Sequence, residues 1–431
     1  MEGTVAVQLP QEVLDTILDN LHPRDDVQTL KQCALTARCL VPAAQRILFR
    51  EVILTEYKYS GTKRPDRFLS LLNKSPHLAK YITELELHFH ERSLQPDDLS
   101  QHPSASILPR LQSLKKVSVH WHDTSASGSR DFTLKISTLL GGAAMPKIKS
   151  LTLRSISVTM HEIFAIGNWL AAHGGLQVLH FMNVLVLDSN AIPPSMASQD
   201  VSSFMPIRLL RFTIIGNSRN TEALLRWATG STSPLRFNAL RELTVGDLVQ
   251  ESSVYLLHIL DMAKNTLSCL HVTGRILSLS SFQFNTYRNL RHIIHGQLFP
   301  PFKAMLKEWC ITLKESRELK LESFVIPDRY HSALDHDYPW SELEDALISG
   351  GRCAHLVLRI FSDKRMDTDT IRECFPLLHA SDVCDLVVQN TVGSLSTRTV
   401  SWEYTSRSGE WKSVPEENFV RWLSDKPFLS M

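Results

Sequence analysis

A recurring apolar pattern constrains the fold of this chain more strongly than any other feature of its sequence. In each copy, one apolar residue is followed three and five positions later by two more. Seven strong copies begin at Ile82, Leu114, Ile148, Leu176, Leu209, Leu240 and Leu267. They start 32, 34, 28, 33, 31 and 27 residues apart. Alternating apolar positions are typical of strands with one buried face, and a quasi-period of this length indicates stacked structural repeats.

Amphipathic stretches between these copies predict helices. They are residues 66–72, 161–172, 221–229 and 253–264. Strand, helix and strand at this spacing predict an α/β fold with parallel strands and one helix per unit, in which each unit buries its apolar face on the next. This arrangement resembles an irregular leucine-rich-repeat horseshoe solenoid, which we place at residues 56–399. A doubly wound sheet is the alternative, but no Gly-rich phosphate loop follows the first strand.

Residues that alternate with the buried strand positions should face the concave surface of such a solenoid. The side chains in these rows are therefore the candidates for a binding surface. The predicted contact residues are Glu86, His88, His120, Arg154, His180, Arg211, His271 and Arg359.

Histidine is frequent on this predicted surface. Aligning the first two copies places His88 beside His120 and His90 beside His122, on strands about 4.8 Å apart. Four imidazoles at this spacing allow three interpretations: zinc ligands, a hydrogen-bonding surface whose charge responds to pH, or exposed histidines without a task. Zinc requires imidazoles tilted into a tetrahedron and further groups that orient them. We therefore expect no metal and no cofactor.

The first 55 residues have a different organisation, because residues 9–54 form three short amphipathic stretches typical of helices. The first stretch is followed by His22-Pro23, Asp25 or Asp26 is suited to cap the second helix, and Pro42 is suited to open the third. A segment of this size buries too little surface to fold alone. We expect its apolar surface to be covered by another subunit and by the rest of the chain.

Three short motifs carry a family resemblance. They are Leu9, Pro10 and Glu12; Cys33 to Leu35; and Pro42 to Ala44 with Arg46, Leu48 and Phe49. At these residues the chain resembles the F-box of large fungal families. The resemblance implies docking to the Skp-type adaptor of a cullin-RING (SCF-type) ubiquitin ligase, with the repeats choosing the substrate. The implied adaptor contacts are Leu9, Pro10, Val13, Ile17, Leu18, Leu21, Leu30, Leu35 and Leu40. Leu40 stands where that family usually has Trp. The alternative is a leucine-rich-repeat scaffold without a ligase, in which these helices cap the solenoid.

Bulk composition excludes several other classes. The chain has 431 residues, 43% of them hydrophobic and 21% charged, as in folded proteins. A net charge of +1 argues against nucleic-acid or membrane partners. The first thirty residues lack the apolar core of a signal peptide, and seven scattered cysteines fit reduced thiols. We therefore expect a cytoplasmic and/or nuclear protein.

No motif indicates an enzyme. Nucleophile elbows, phosphate loops and His-Glu-x-x-His are missing from the sequence. His331 with Asp335, His336 and Asp337 would be the candidate for a metal-dependent hydrolase, but these residues occupy a predicted loop. Residues 400–431 predict a hairpin and a short helix that cap the last repeat.

Overall fold

The computed structural model of this chain describes residues 10–23, 25–55, 64–90, 102–122, 135–141, 148–188, 206–246, 248, 253–273, 284–296, 302–316, 319–328, 339–349, 353–362, 367–380, 384–392 and 400–414. The chain divides into two compact units, Met1–Ile207 with Thr232–Leu235 and Arg208–Ser231 with Arg236–Met431. Within the described ranges, no helix has both the length and the apolar content required to cross a bilayer.

The first unit begins with a small helical module. It comprises α1 (Gln11–Asp19), α2 (Val27–Thr36), a 3-10 turn (Arg38–Leu40) and α3 (Val41–Leu48). Pro42 lies in the first turn of α3, where a missing N–H costs no helical hydrogen bond. Asp26 is the N-cap residue of α2, but its carboxylate accepts from the backbone N–H of His22 at 2.7 Å and makes no bond to the helix. Asp26 therefore holds the predicted cap position of α2, without the hydrogen bond that a capping side chain would make.

Strands and helices alternate in the rest of the first unit. The strands of its parallel sheet are β1 (Glu51–Thr55), β2 (Glu84–His90), β3 (Lys116–His122), β4 (Ser150–Arg154) and β6 (Val178–Met182). A separate short parallel pair is formed by β5 (Ser157–Val158) and β7 (Leu185–Val186). The helices are α4 (Pro65–Lys74), α5 (Pro103–Ile107), α6 (Ile136–Gly141) and α7 (Met160–His173). Strand β1 lies within the stretch assigned above to residues 1–55, and it extends the sheet.

The apolar pattern sets the register of this sheet. Val52 is paired with Leu85, Leu85 with Val117, Val117 with Leu151, and Leu151 with Leu179. All five side chains are buried. Burying an aliphatic side chain of this size stabilises the fold by roughly 1.5–3 kcal/mol, and a slip of one residue would expose the whole row. The equivalent positions of the sequence pattern are therefore neighbours across the strands.

The second unit repeats the same alternation. Its parallel strands are β9 (Arg211–Ile215), β11 (Glu242–Val245), β12 (Cys269–Thr273), β13 (His292–Gly296), β14 (Leu321–Asp328), β15 (Cys353–Ser362) and β16 (Asp385–Val392). Its helices are α8 (Ser218–Thr229), α9 (Ser253–Ala263), α10 (Phe302–Glu315), α11 (Trp340–Ser349), α12 (Thr368–Cys374) and α13 (Pro376–Ala380). Two-residue strands β8 (Ile207–Arg208) and β10 (Leu235–Arg236) pair with each other.

The last described residues form an antiparallel hairpin. Strand β17 (Val400–Thr405) pairs with β16 and with β18 (Trp411–Val414). Gly409 has a φ of +64° in the connecting turn, a conformation that favours glycine. The helix predicted after Val414 lies outside the described residues. Both units thus have the mixed α/β composition with largely parallel strands that the sequence pattern predicts.

A buried histidine in the second unit gives a pH prediction. Burial lowers the pKa of His295, on β13, to about 4. Between about pH 6.5 and pH 4 the unfolded chain therefore binds a proton at His295 that the folded chain does not. The free energy of unfolding falls as the pH is lowered through this window. Replacing His295 with Phe should reduce the loss of unfolding free energy between pH 7 and pH 5 by about 2 kcal/mol.

Denaturant titrations at the two pH values measure this difference. His77→Phe is the matched control, because His77 is solvent-exposed. An equal pH-dependent loss in the parent, His77→Phe and His295→Phe proteins would contradict the prediction.

Candidate functional site

The helical module exposes apolar side chains that the rest of the described chain does not cover. Val13 is 41% exposed, Ile17 is 53% exposed and Leu35 is 81% exposed. We call these three residues the apolar trio. Val13 and Ile17 are one helical turn apart on α1, so they share a face, and Leu35 lies near the end of α2. Among the described residues, seven large hydrophobic side chains are exposed, and three of them belong to this trio.

The module that carries the trio has its own small core. Leu18, Leu30, Ala43 and Ile47 are buried together, and Leu21, Cys33, Leu40 and Leu48 pack against them. Polar contacts tie α1 to the rest of the module. Nη2 of Arg46 lies 2.9 Å from Oδ1 of Asp19, and the Gln11 amide donates to the carbonyl of Cys39 at 3.2 Å. The ion pair is solvent-exposed and contributes at most about 1 kcal/mol. The packed apolar side chains of this core therefore hold the helices in place.

The predicted adaptor contacts fall into distinct environments. Val13, Ile17 and Leu35 are exposed, as is Pro10, the residue before α1, while Leu21 and Leu40 are half-buried.

Two of the remaining predicted contacts are internal. Leu18 is 3% exposed and Leu30 is completely buried. No partner could reach these two side chains unless the module opened, so they belong to its core and not to its contact surface. Leu9 lies outside the described residues.

The second candidate region is the polar face of the first strands. Residue pairing places Glu84 beside Lys116, His88 beside His120 and His90 beside His122. The predicted histidine alignment is thereby confirmed. The next strand places Arg154 beside His120, and β6 places His180 beside Thr152.

Four side chains of β2 and β3 form a compact group on this polar face. Nε2 of His88 lies 2.6 Å from Oε1 of Glu86, and Nε2 of His120 lies 3.6 Å from the same oxygen. Nδ1 of His88 lies 2.8 Å from Nε2 of His122. The His88 ring stacks on both other rings, with centroids 4.7 Å from His120 and 4.9 Å from His122. We call Glu86, His88, His120 and His122 the histidine cluster.

Local electrostatics keep part of this cluster uncharged. Burial lowers the pKa of His120 to about 4; Glu86 opposes this shift, whereas His88, Arg154 and His122 add to it. Burial also lowers the pKa of His122, and His88 is the next largest cause. Both imidazoles are therefore neutral at pH 7, and each has one unprotonated nitrogen, which can accept a hydrogen bond or bind a metal.

The contact of Glu86 with these histidines was not predicted from the sequence. Glu86 stands two residues before His88 on the same strand, and a period of two puts both side chains on one face. That spacing was the available signal. The carboxylate is the point on which two imidazole nitrogens converge, so it organises the cluster.

The other predicted target-binding residues belong to the second unit. Arg211 on β9 forms an ion pair with Glu242 on β11, with 3.2 Å between Nη2 and Oε1. The side chain of His271, on β12, is buried. The backbone of Arg359 pairs with Pro327 and Gln389 in the parallel sheet. The acidic histidine motif at 331–337 lies outside the described residues.

Comparison with known proteins gives one informative similarity. No family model matches this chain. It is similar to the F-box protein COS111 of Kluyveromyces lactis, with 26% identity over 148 residues. The match covers 34% of this chain and 18% of that protein, so this chain matches less than a fifth of its relative's length. The similarity supports a distant relationship to F-box proteins and carries no information about repeats.

Proposed function

We propose that this chain is the substrate-recognition subunit of an SCF-type ubiquitin ligase. In this proposal the helical module binds a Skp-type adaptor, and the polar strand faces bind a protein target. The observation that carries the proposal is the apolar trio, which is exposed on a module with a core of its own. Neighbouring apolar side chains that are left exposed, such as Val13 and Ile17 one turn apart on α1, are a recurrent mark of a protein interface.

Adaptor binding would use the trio as its apolar centre. Burying three aliphatic side chains contributes roughly 1.5–3 kcal/mol each before the cost of association is subtracted. The half-buried Leu40 packs against the module core, so the position usually held by Trp contributes to internal packing here. The trio must therefore supply most of the apolar contact.

Target binding would use the polar side chains of the strands. Parallel strands present their alternate side chains in rows, with Glu86, His88 and His120 in the first unit and Arg211 in the second. The solenoid arrangement of residues 56–399 is part of this proposal. Tethering a target near a charged ubiquitin carrier raises the effective concentration of its lysines, so the receptor needs no catalytic group of its own.

The state of the cysteines is compatible with a cytoplasmic or nuclear location. All seven are free thiols, and five of them are buried. Reduced thiols are typical of both compartments. A cytoplasmic or nuclear location therefore belongs to the proposal.

Co-elution tests the proposal on the full chain. Co-expressed with a Skp-type adaptor, the chain should elute from a sizing column as an equimolar complex that survives dilution to 1 μM, roughly the affinity of a specific complex of moderate strength. Separate elution of two folded proteins would overturn the ligase function and would favour the scaffold, in which the helices serve this chain alone.

A further inference from the structure

The histidine cluster has the composition of a transition-metal site. Its three candidate ligand atoms come from Glu86, His88 and His120, and they all lie within 4.8 Å of one another. In a tetrahedral zinc site, ligand atoms about 2.0–2.1 Å from the ion lie about 3.3 Å apart. The two separations from Oε1 of Glu86, 2.6 and 3.6 Å, bracket that value. The ligand nitrogens of His88 and His120 lie within 4.8 Å of each other, so they must approach by at most about 1.5 Å to reach the tetrahedral separation.

The backbone beneath these ligands is regular. Glu86 and His88 project from one face of β2, and His120 is the residue paired with His88 on β3. Both strands lie inside the sheet of the first unit, between β1 and β4. Ligands on paired strands are held more precisely than ligands on loops. The strand register keeps the ligands within reach of one another, and the stacked rings of His88 and His120 must tilt so that a nitrogen of each points at one ion.

A further histidine is placed to orient the first one. Metal-bound imidazoles usually donate their second ring N–H to a neighbouring acceptor, which fixes the ring. Nδ1 of His88 already lies 2.8 Å from Nε2 of His122. If Nε2 of His88 binds the ion, its Nδ1–H donates to the bare Nε2 of His122, whose own proton is then on Nδ1.

We propose that Glu86, His88 and His120 bind one divalent transition-metal ion, for which zinc is the best match. Two imidazoles and one carboxylate favour zinc over magnesium or calcium, which prefer oxygen ligands. Three protein ligands leave a fourth position for water or for a side chain of a bound protein. This site uses none of the residues proposed to contact the adaptor.

The positive charge of Arg154 provides a test in which a substitution should strengthen zinc binding. It is paired with His120 on the neighbouring strand, and its positive charge acts on that imidazole. The same charge must oppose a bound cation. Removing it with Arg154→Gln should tighten zinc binding by about fivefold, the size expected for one nearby, partly screened charge.

Zinc titration of the chelator-treated full chain, monitored by a competing chromophoric chelator, measures the affinity directly. We expect one equivalent to bind with a Kd of about 1 μM or tighter. Glu86→Gln and His120→Gln should each weaken binding at least about 100-fold, whereas His77→Gln, a change at an exposed histidine outside the cluster, should not. Magnesium should not compete. Bound Co²⁺ should show the visible absorption of a tetrahedral complex in the parent chain only.

Two results would overturn the site. One is the lack of zinc binding tighter than about 100 μM in the parent chain. The other is that both the Glu86→Gln and the His120→Gln variants still bind one equivalent of zinc as tightly as the parent chain does. Thermal unfolding of each variant without metal shows whether it folds. Adaptor co-elution of His120→Gln should match the parent, so failure of the metal site and failure of the ligase function are distinguishable.

Discussion

Replacing Ile17 and Leu35 with Asp in one variant should weaken adaptor binding at least 100-fold and leave the unfolding temperature unchanged. Both side chains are more than half exposed, so polar replacements cost the folded chain little. In the complex the same positions lose two aliphatic contacts and bury two unpaired carboxylates, each effect being worth roughly 1–3 kcal/mol. Calorimetric titration with purified adaptor measures the Kd, and circular dichroism measures the unfolding temperature.

The matched control for this variant is Val254→Asp with Ile311→Asp. These residues are 64% and 55% exposed and lie on α9 and α10, in the second unit. The control adds the same two negative charges and also replaces two aliphatic side chains that are more than half exposed, but in the second unit, so it should bind the adaptor like the parent chain. Equal losses in both double variants would show that the apolar trio has no special role.

Trp309→Ala should lower the free energy of unfolding by about 3–5 kcal/mol. Trp309 lies on α10, is 1% exposed, and has its ring centroid 5.5 Å from both Phe284 and Phe324. Its ring also lies edge-on to His295 at 6.4 Å. Truncation leaves a cavity between helix and strands that these rings cannot fill. For a unit of this size the unfolding temperature should fall by about 10 °C.

Trp309→Phe separates packing from hydrogen bonding. The indole N–H has no hydrogen-bond acceptor among the described residues, so Phe removes no hydrogen bond and keeps an aromatic ring. We expect this variant to lose only about 1–2 kcal/mol. Denaturant titrations of both variants measure the difference. Similar small losses in both would mean that the aromatic contacts around α10 do not stabilise the second unit.

The repeat pattern allowed much of the fold to be predicted. The pattern that aligns Leu85 with Val117 is local in sequence, and the pleat of a strand converts it directly into register. The predicted helix at 161–172 corresponds to α7, and the one at 253–264 to α9. These elements are defined by residues a few positions apart, which is why one sequence sufficed.

The inside and outside of the helical module could not be predicted in the same way. Val13, Ile17 and Leu18 all belong to one apolar stripe on α1, yet only Leu18 is buried. The side of the stripe that faces inward depends on how α1 packs with α2 and α3, which helical periodicity does not specify. Side-chain contacts between residues far apart in the sequence could not be predicted either. His88 and His122 are 34 residues apart, and their ring contact depends on side-chain rotation as well as on strand register.

Hydrogen exchange of the full chain, with and without a Skp-type adaptor, tests the central claim most directly. That claim is that the apolar surface of α1 and α2 is completed by another protein. We predict slower amide exchange in peptides covering residues 10–36 when the adaptor is present, with no change in α9 or α10. Unchanged exchange in residues 10–36 at saturating adaptor, or protection confined to the second unit, would contradict the account.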